Sequence, residues 1–243
     1  MDKIKHGQDR GILFLIPTML GDSSPDLVFP PANSEIINNI KVFITENIKT
    51  TRRFLKRINK DIDIDELVFH ILDKHTRPEE TASYLDEAIS GLDTGLLSEA
   101  GTPCVADPGA IIVRHAHSSG IDVVPLIGPN SILLALMASG FNGQNFRFHG
   151  YLPIASRERA MKIRELEREA LQSDQTQIFI ETPYRNMALY ESLLKNCQNT
   201  TALCVACNLT LKDKFILTKT IREWKKEKPS LHKKPAVFLL YRS

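Results

Sequence analysis

The chain has 243 residues, a formal net charge of +2 and a hydrophobic fraction of 42%, a composition typical of a globular protein that buries a core without disulfides or structural metal. Four cysteines are too few for a disulfide scaffold, so we expect a reducing compartment. The polar N-terminal stretch lacks the apolar segment of a signal peptide, and the run GILFLIPTML is far shorter than the roughly 20 residues of a membrane span. We therefore expect a cytoplasmic protein with no membrane partner, and the small net charge does not by itself indicate nucleic-acid binding.

Short apolar runs alternate with helical patterns in the first half of the chain. Runs rich in Val, Ile, Leu and Phe predict buried strands of a parallel sheet at residues 11–17, 41–46, 66–72, 94–98 and 121–126. Capping and terminating residues predict helices over residues 76–91, 107–120 and 128–140. Asp107 is expected to cap the second of these helices, with Pro108 at its first position. The alternation predicts an α/β domain with a mostly parallel sheet.

The pattern changes after Gly140, and a second α/β unit is predicted from there. Its strands are expected at residues 146–153, 176–182, 201–209, 214–220 and 235–242. Its helices are expected at residues 156–172 and 183–197, with a short basic helix before the last strand. We place the two domains at residues 1–143 and 144–243.

Several standard catalytic and metal-binding motifs are missing from the sequence. It contains no GxxxxGK[ST], GxGxxG, HExxH or GxSxG pattern. Cys204 and Cys207 form a CxxC within a predicted strand, without a second pair to complete a tetrahedral site, so we interpret them as core residues. His115 and His117 are two apart on a predicted helix and do not share a face. No metal site is predicted.

A run of basic residues, KTTRRFLKRINK (49–60), has no acidic residue among its cations. Phe54, Leu55 and Ile58 form the stripe that a helix here would bury. An ordinary solvated face accounts for such a run, and a surface that contacts phosphates is the alternative. A second basic cluster, KKEKPSLHKK (225–234), lies near the C-terminus.

The segment SEAGTPCVADPG (98–109) concentrates two glycines and two prolines directly after a predicted strand. In open α/β sheets, ligands bind outside the carboxyl ends of the strands. Gly101 permits a close backbone approach, and Pro103 with Pro108 restricts the loop, which lowers the ordering cost of binding. Loops at residues 17–22 and 128–131 also follow predicted strands. Three such loops predict one ligand-binding cleft.

An ordered set of segments carries a resemblance to a known family. The segments are LIPTMLGD (15–22), TENIKTTRRFL (45–55), LLSEAGTPCVADPG (96–109), VVPLIGPNSILLALMASG (123–140) and FHGYLP (148–153). They resemble the tetrapyrrole (corrin/porphyrin) methylase superfamily, and are most similar to its small-subunit ribosomal RNA (cytidine-2'-O)-methyltransferase branch. The resemblance implies two α/β domains with S-adenosylmethionine in the cleft between them, a homodimer, and ribosomal RNA or the small ribosomal subunit as partner.

The same resemblance implies a set of cofactor-binding residues. In the first domain and at the start of the following helix they are Pro17, Leu20, Gly101, Thr102, Pro103, Val105, Asn130 and Ser131. In the second domain they are Glu181, Thr182, Ala206, Pro235 and Ala236. The run TENIK keeps one of the two acids that the ribosomal RNA branch has there.

Attack by a ribose hydroxyl on an activated methyl group requires removal of a proton. Glu46, Glu99 and Asp107 are the carboxylates for that role or for positioning, and Arg53 is a candidate for holding a substrate phosphate. The sequence leaves three functions open. They are 2'-O-methylation of ribosomal RNA, methylation of a tetrapyrrole or another small acceptor, and S-adenosylmethionine binding without catalysis.

Overall fold

The computed structural model describes residues 10–242, which form two compact units. The first extends to Pro129 and the second begins at Asn130. Each contains a five-stranded sheet.

The first sheet is parallel throughout and has the strand order β3-β2-β4-β1-β5. Its strands are β1 (Ile12–Ile16), β2 (Val42–Thr45), β3 (Val68–Ile71), β4 (Thr94–Leu97) and β5 (Asp122–Pro125). They are the five predicted from the apolar runs. The central strands β2 and β4 are buried along their whole length, because helices and loops cover both faces of the sheet. Parallel pairing brings all the carboxyl ends to one edge.

Four α-helices belong to the first unit: α1 (Pro31–Asn39), α2 (Ile48–Ile58), α3 (Asp86–Ile89) and α4 (Ala110–Ser118). Helix α2 begins where the Asn47 side chain accepts hydrogen bonds from the N–H groups of Lys49 and Thr50. It buries Phe54 and Leu55 and exposes its basic residues. The expected apolar stripe is therefore present, and α2 follows β2 at the carboxyl edge of the sheet.

The helix expected over residues 76–91 is mostly wrong. Only a 3-10 turn at Ser83–Leu85 and the short α3 are helical there. Thr76, the expected cap, instead bonds with the Asp73 carboxylate, and the Thr81 hydroxyl donates to the Pro78 carbonyl. These local side-chain bonds satisfy the backbone in turns and so compete with a helix.

The second unit contains α5 (Ser131–Ser139), α6 (Ser156–Ser173), α7 (Asn186–Asn196) and α8 (Ile221–Trp224). Its strands are β6 (Phe146–Tyr151), β7 (Thr176–Ile180), β8 (Ala202–Cys207), β9 (Phe215–Thr220) and β10 (Ala236–Tyr241). The strand order is β6-β7-β10-β8-β9. Only β6 and β7 are parallel, and the other pairs are antiparallel.

Helix α5 explains why the units divide before the predicted boundary at residue 143. It packs on β8, β9 and β10, and the Thr218 hydroxyl donates to the Ser139 carbonyl at 2.8 Å. It ends at Gly140, whose φ of +76° makes the left-handed cap expected from sequence. The contacts of α5 therefore place it with the second sheet, although the sequence grouped it with the first.

Two cysteines that the sequence predicted to be core residues are buried. Cys204 and Cys207 lie on β8 with no exposed surface, and their thiols are free.

In the described part of the chain, no helix has both the length and the apolarity to cross a membrane.

Candidate functional site

Three loops at the carboxyl edge of the first sheet contact one another. Thr18, after β1, forms a two-bond bridge with Gly101, after β4, with N···O distances of 2.8 and 3.2 Å. Gly128, after β5, lies so close to Pro17 that a Cβ on it would come within 2.2 Å of the proline Cγ. The loops that the sequence grouped by their small residues thus form one cluster.

Gly101 occupies a backbone conformation that other residues rarely adopt. Its φ is +79°, and an added Cβ would lie 3.1 Å from Leu20 Cδ2 and 3.4 Å from the Pro129 carbonyl oxygen. Both the backbone angle and the close packing therefore require glycine. Leu20 contacts this position from the first loop, as the predicted site needs.

A pocket of about 260 Å³ opens between the first loop, helix α2 and the start of the loop after β4. Its lining consists of Thr18, Met19, Leu20, Gly21, Thr50, Thr51, Arg53, Phe54, Arg57, Ser98, Glu99 and Ala100. The volume is below the roughly 300–1,000 Å³ of pockets that hold whole drug-sized ligands. It therefore suits one portion of a larger ligand.

Two of the predicted carboxylates meet beside this pocket. The Glu99 N–H donates to Glu46 Oε1 at 3.3 Å, and the Thr50 hydroxyl donates to Glu99 Oε1 at 3.5 Å. Burial raises the pKa of Glu46, and repulsion from Asp107, Glu99 and Asp73 adds to the rise, against the Glu99 hydrogen bond that lowers it. A carboxylate with a raised pKa is a better proton acceptor than an ordinary one.

Asp107 does not cap a helix as expected, because α4 begins three residues later at Ala110. Its Oδ1 accepts hydrogen bonds from the N–H groups of Cys104 (3.0 Å) and Gly109 (2.7 Å). Cys104 and Ala106 both have a φ of +67°, so Asp107 stabilises a strained loop. Its Oδ2 is buried without a hydrogen-bond partner among residues 10–242. A buried carboxylate oxygen of this kind suits a cationic or N–H ligand group.

The cationic side chains of α2 differ in their interaction partners. Arg57 pairs with Asp22 at 3.0 Å and donates to the Ser23 carbonyl at 2.6 Å. Arg52 lies over the Phe69 ring, 5.5 Å from its centroid. Arg53 lines the pocket, and within the described chain it forms no ion pair. Arg53 is therefore the guanidinium available to a ligand.

The other predicted residues of the 98–109 loop differ in exposure. Pro103 is buried, Thr102 is half-buried, and Val105 is 42% exposed.

At the start of the second unit, Asn130 caps α5 by accepting from the Leu133 N–H at 3.0 Å, and Ser131 is the first helical residue. The structure assigns Asn130 a local capping role, which leaves its cofactor contact a prediction.

In the second unit the five predicted residues lie at one edge of the sheet. Ala206 pairs with Val237, next to Ala236 and Pro235, and Ile180 on the other side of β10 also pairs with Val237. Glu181 and Thr182 follow Ile180 directly. The edge formed by the ends of β7 and β8 and the start of β10 thus brings together residues up to 55 positions apart in the sequence (181 to 236).

Glu181 is engaged within its own loop. Its side chain is 1% exposed, and its Oε1 accepts from Arg185 Nε at 3.0 Å and Nη2 at 2.5 Å, and from the Thr182 N–H at 2.6 Å. These bonds order the loop after β7 and occupy the Glu181 carboxylate. We therefore expect the backbone of this loop, and not the carboxylate itself, to contact a cofactor.

Sequence reasoning missed the four hydroxyl groups of the first-unit pocket, which belong to Thr18, Thr50, Thr51 and Ser98. Thr18 and Ser98 adjoin residues that were predicted, and Thr50 and Thr51 lie within the basic run. Their residue types do not indicate a binding site, because hydroxyl side chains are also common at helix caps and in turns. Among residues 10–242, no group of three or more His, Cys, Asp or Glu side chains could hold a metal ion.

The fold and the site together define a class: an α/β protein that presents backbone loops, carboxylates and one unpaired guanidinium at the carboxyl edge of a parallel sheet. The model of the tetrapyrrole (corrin/porphyrin) methylases matches residues 22–225, and the chain belongs to this family. The predicted family and fold class are confirmed.

Curated relatives carry the name ribosomal RNA small subunit methyltransferase I. The chain is 28% identical over 234 residues to the protein from Buchnera aphidicola subsp. Schizaphis graminum, which covers 95% of this chain and 78% of the relative. It is 31% identical over 174 residues to the protein from Vibrio cholerae, covering 72% of this chain and 56% of the relative. The chain therefore spans between about half and four fifths of the length of these relatives.

Solved structures share the fold. The methyltransferase CobJ superposes with a TM-score of 0.62 at 17% identity, covering 96% of this chain and 95% of that one. A uroporphyrin-III C-methyltransferase from Thermus thermophilus, in complex with S-adenosylhomocysteine, has a TM-score of 0.55 at 16% identity and covers 96% and 98% of the two chains.

Family membership confirms the predicted enzyme class, a methyltransferase that uses S-adenosylmethionine. The residues of the first unit fit such a donor. The buried, unpartnered Oδ2 of Asp107 would accept from its amino group, and the positive φ of Gly101 sets the conformation of the loop that would carry this site. Which residues hold the cofactor remains a prediction.

Proposed function

We propose that the chain methylates the 2'-hydroxyl of a nucleotide in small-subunit ribosomal RNA, in the cytoplasm and as a homodimer. The observation that carries the proposal is the pocket of the first unit, which is lined by the Arg53 guanidinium and by Glu99, whose N–H donates to the Glu46 carboxylate. The names of the relatives support ribosomal RNA as the substrate.

The chemistry places few demands on the protein. When bound, S-adenosylmethionine supplies a methyl carbon already activated by its sulfonium, so alignment is the main requirement. Transfer of that carbon to a ribose oxygen would leave the carbon–sulfur electron pair on sulfur, so the hydroxyl proton is the group that a residue of this chain has to take up. Glu46 accepts the hydroxyl proton, and its raised pKa suits that task.

The basic helix would position the RNA. Arg53 in the pocket would contact the phosphate beside the reacting ribose, and Arg52 and Lys56, both exposed on α2, would contact the neighbouring phosphates. A small tetrapyrrole acceptor has no phosphate chain along which several of these cations could bind. The two acceptors therefore predict different effects when the cations are removed.

The experiment measures RNA affinity against salt concentration for a triple variant, Arg52→Ala, Arg53→Ala and Lys56→Ala. Each phosphate contact contributes about 0.7 to 0.9 to the slope of log affinity against log salt, so the slope should fall by roughly two to three. A matched control removes three exposed arginines of α6, Arg157, Arg164 and Arg168, where glutamates alternate with the cations. The control should leave the slope unchanged.

Three outcomes would contradict the proposal. An unchanged slope in the α2 variant would remove that helix from the RNA interface. Methylation of a tetrapyrrole by the wild type, with no methylated RNA, would favour the small-acceptor function. S-adenosylmethionine binding without turnover on either acceptor would favour a binding protein. Sedimentation at micromolar concentration tests the dimer, and a monomer would contradict it.

A further inference from the structure

An exposed aromatic side chain stands among cations at the edge of the second unit. Tyr184, in the loop after β7, is 70% exposed. Its ring meets the His232 ring edge-on at 6.1 Å between centroids, and Lys233 Nζ lies 6.0 Å from its centroid. A tyrosine ring this exposed leaves a face on which a planar ligand group can stack.

The two loops that carry these residues are held rigidly. The buried Glu181–Arg185 pair orders the loop around Tyr184. The Lys233 N–H donates to the Pro183 carbonyl at 3.0 Å and so joins the loops, while Lys233 adopts a φ of +61°. A group presented on ordered loops binds with little loss of conformational entropy.

The segment that carries His232 and Lys233 is basic in sequence. Residues 225–234 contain five lysines and one acid, Glu227. Glu227 is paired with Lys219, and Lys234 is paired with Asp213 at 3.4 Å. Lys228 and Lys233 have no carboxylate partner within the described residues. The positive charge next to the aromatic ring is therefore not neutralised.

We propose that Tyr184, His232 and Lys233 form a stacking platform for an unpaired base of the RNA substrate, with Lys233 contacting a flanking phosphate. The inference rests on the proposed RNA function and adds a binding surface on the second unit. Aromatic rings beside lysines are the usual means by which proteins bind single-stranded RNA, because every base has a face that stacks.

The charge also argues against the adenine of the methyl donor as the occupant. S-adenosylmethionine carries a sulfonium and an amino group against one carboxylate, so its net charge is positive. Lys233, which has no carboxylate partner within the described residues, would repel this cation, whereas it attracts a phosphate chain. The exposure of Tyr184 likewise suits a long ligand that runs over the surface.

The test is fluorescence anisotropy of the full chain with a labelled single-stranded RNA from the small subunit. Tyr184→Ala should weaken binding by about 5- to 150-fold, the range measured for loss of one stacked base. Tyr184→Phe keeps the ring and should bind within threefold of wild type. Tyr151→Ala, at another tyrosine that is 56% exposed, is the matched control and should bind normally. Lys233→Ala should lower the salt slope by about 0.7.

The outcomes separate this inference from the proposed function. If the wild type binds the RNA and Tyr184→Ala binds it equally well, the platform is wrong and the proposed function stands. If the wild type binds no RNA, both fail. Calorimetry with S-adenosylhomocysteine should give the same affinity for Tyr184→Ala as for wild type, and a loss there would assign Tyr184 to the cofactor instead.

Discussion

Replacement of Gly101 by valine tests whether the loop after β4 shapes the methyl-donor site. The native φ is +79°, and a Cβ would lie 3.1 Å from Leu20 Cδ2. A left-handed conformation costs a non-glycine residue about 1–2 kcal/mol, and β-branched valine is among the least tolerant. The loop will relieve this strain by leaving its native conformation.

That relaxation sets the size of the expected effect on binding. Binding must restore the native loop, so the population competent to bind falls by the same 1–2 kcal/mol, or about 5- to 30-fold. The contacts with Leu20 and with the Pro129 carbonyl at 3.4 Å add to the strain. We therefore expect S-adenosylmethionine affinity, measured by calorimetry, to fall at least tenfold.

A second glycine supplies the control. Gly140 also has a positive φ, +76°, but no heavy atom lies within 4 Å of the position of an added Cβ. Gly140→Val should therefore lower the melting temperature through backbone strain and leave cofactor affinity unchanged. If Gly101→Val binds the cofactor as wild type does, the placement of this loop at the methyl donor is refuted.

Three further predictions concern ionisable groups. Glu46→Gln should slow single-turnover methyl transfer by about 10²- to 10⁴-fold. Folding raises the pKa of Glu46, so its ionised form destabilises the protein once the pH exceeds that pKa. The Glu46→Gln variant should therefore melt at a higher temperature than wild type at pH 7. A lower melting temperature would contradict this. Asp107→Asn keeps the Oδ1 acceptor of the loop but loses the charge on the buried Oδ2. Cofactor affinity should therefore fall about tenfold or more, with little loss of stability. Equal affinity would contradict a contact between Asp107 and the methyl donor. Burial raises the pKa of the half-buried Cys104 to about 11 and also raises those of the buried Cys204 and Cys207. Iodoacetamide at pH 7 should therefore modify Cys204 and Cys207 only after unfolding and Cys104 slowly, and rapid labelling of the native protein would contradict this.

The strands of the first unit could be predicted from sequence because all are short apolar runs bounded by turn residues. The helix over residues 76–91 could not, although Thr76, Pro78 and Gly91 gave the expected signals. The Asp73 and Thr76 side chains each accept from the other's backbone N–H, and the Thr81 hydroxyl donates to the Pro78 carbonyl. A helical pattern alone does not show such competition.

The arrangement of the second sheet was also beyond the sequence pattern. Periodicity identified its strands but does not encode that β10, last in the chain, pairs between β7 and β8. The placement of α5 depends likewise on packing, since the Thr218–Ser139 bond joins residues 79 positions apart. Long-range contacts of this kind leave no local signal.

The candidate site was predicted in part. The meeting of the three loops follows the sequence argument, whereas the positive φ of Gly101 was not part of it. Asp107 was predicted as a helix cap, yet its carboxylate holds the loop from Cys104 to Gly109. A capping residue and an acid that closes a loop look alike in sequence, because both accept from N–H groups two or three residues away.

The most direct measurement is mass spectrometry of small-subunit ribosomal RNA nucleosides from cells with the protein, without it, and with only its Glu46→Gln variant. The proposed function predicts one 2'-O-methylated nucleoside that is present with the wild type and missing from the other two. Identical nucleoside profiles in all three would contradict it.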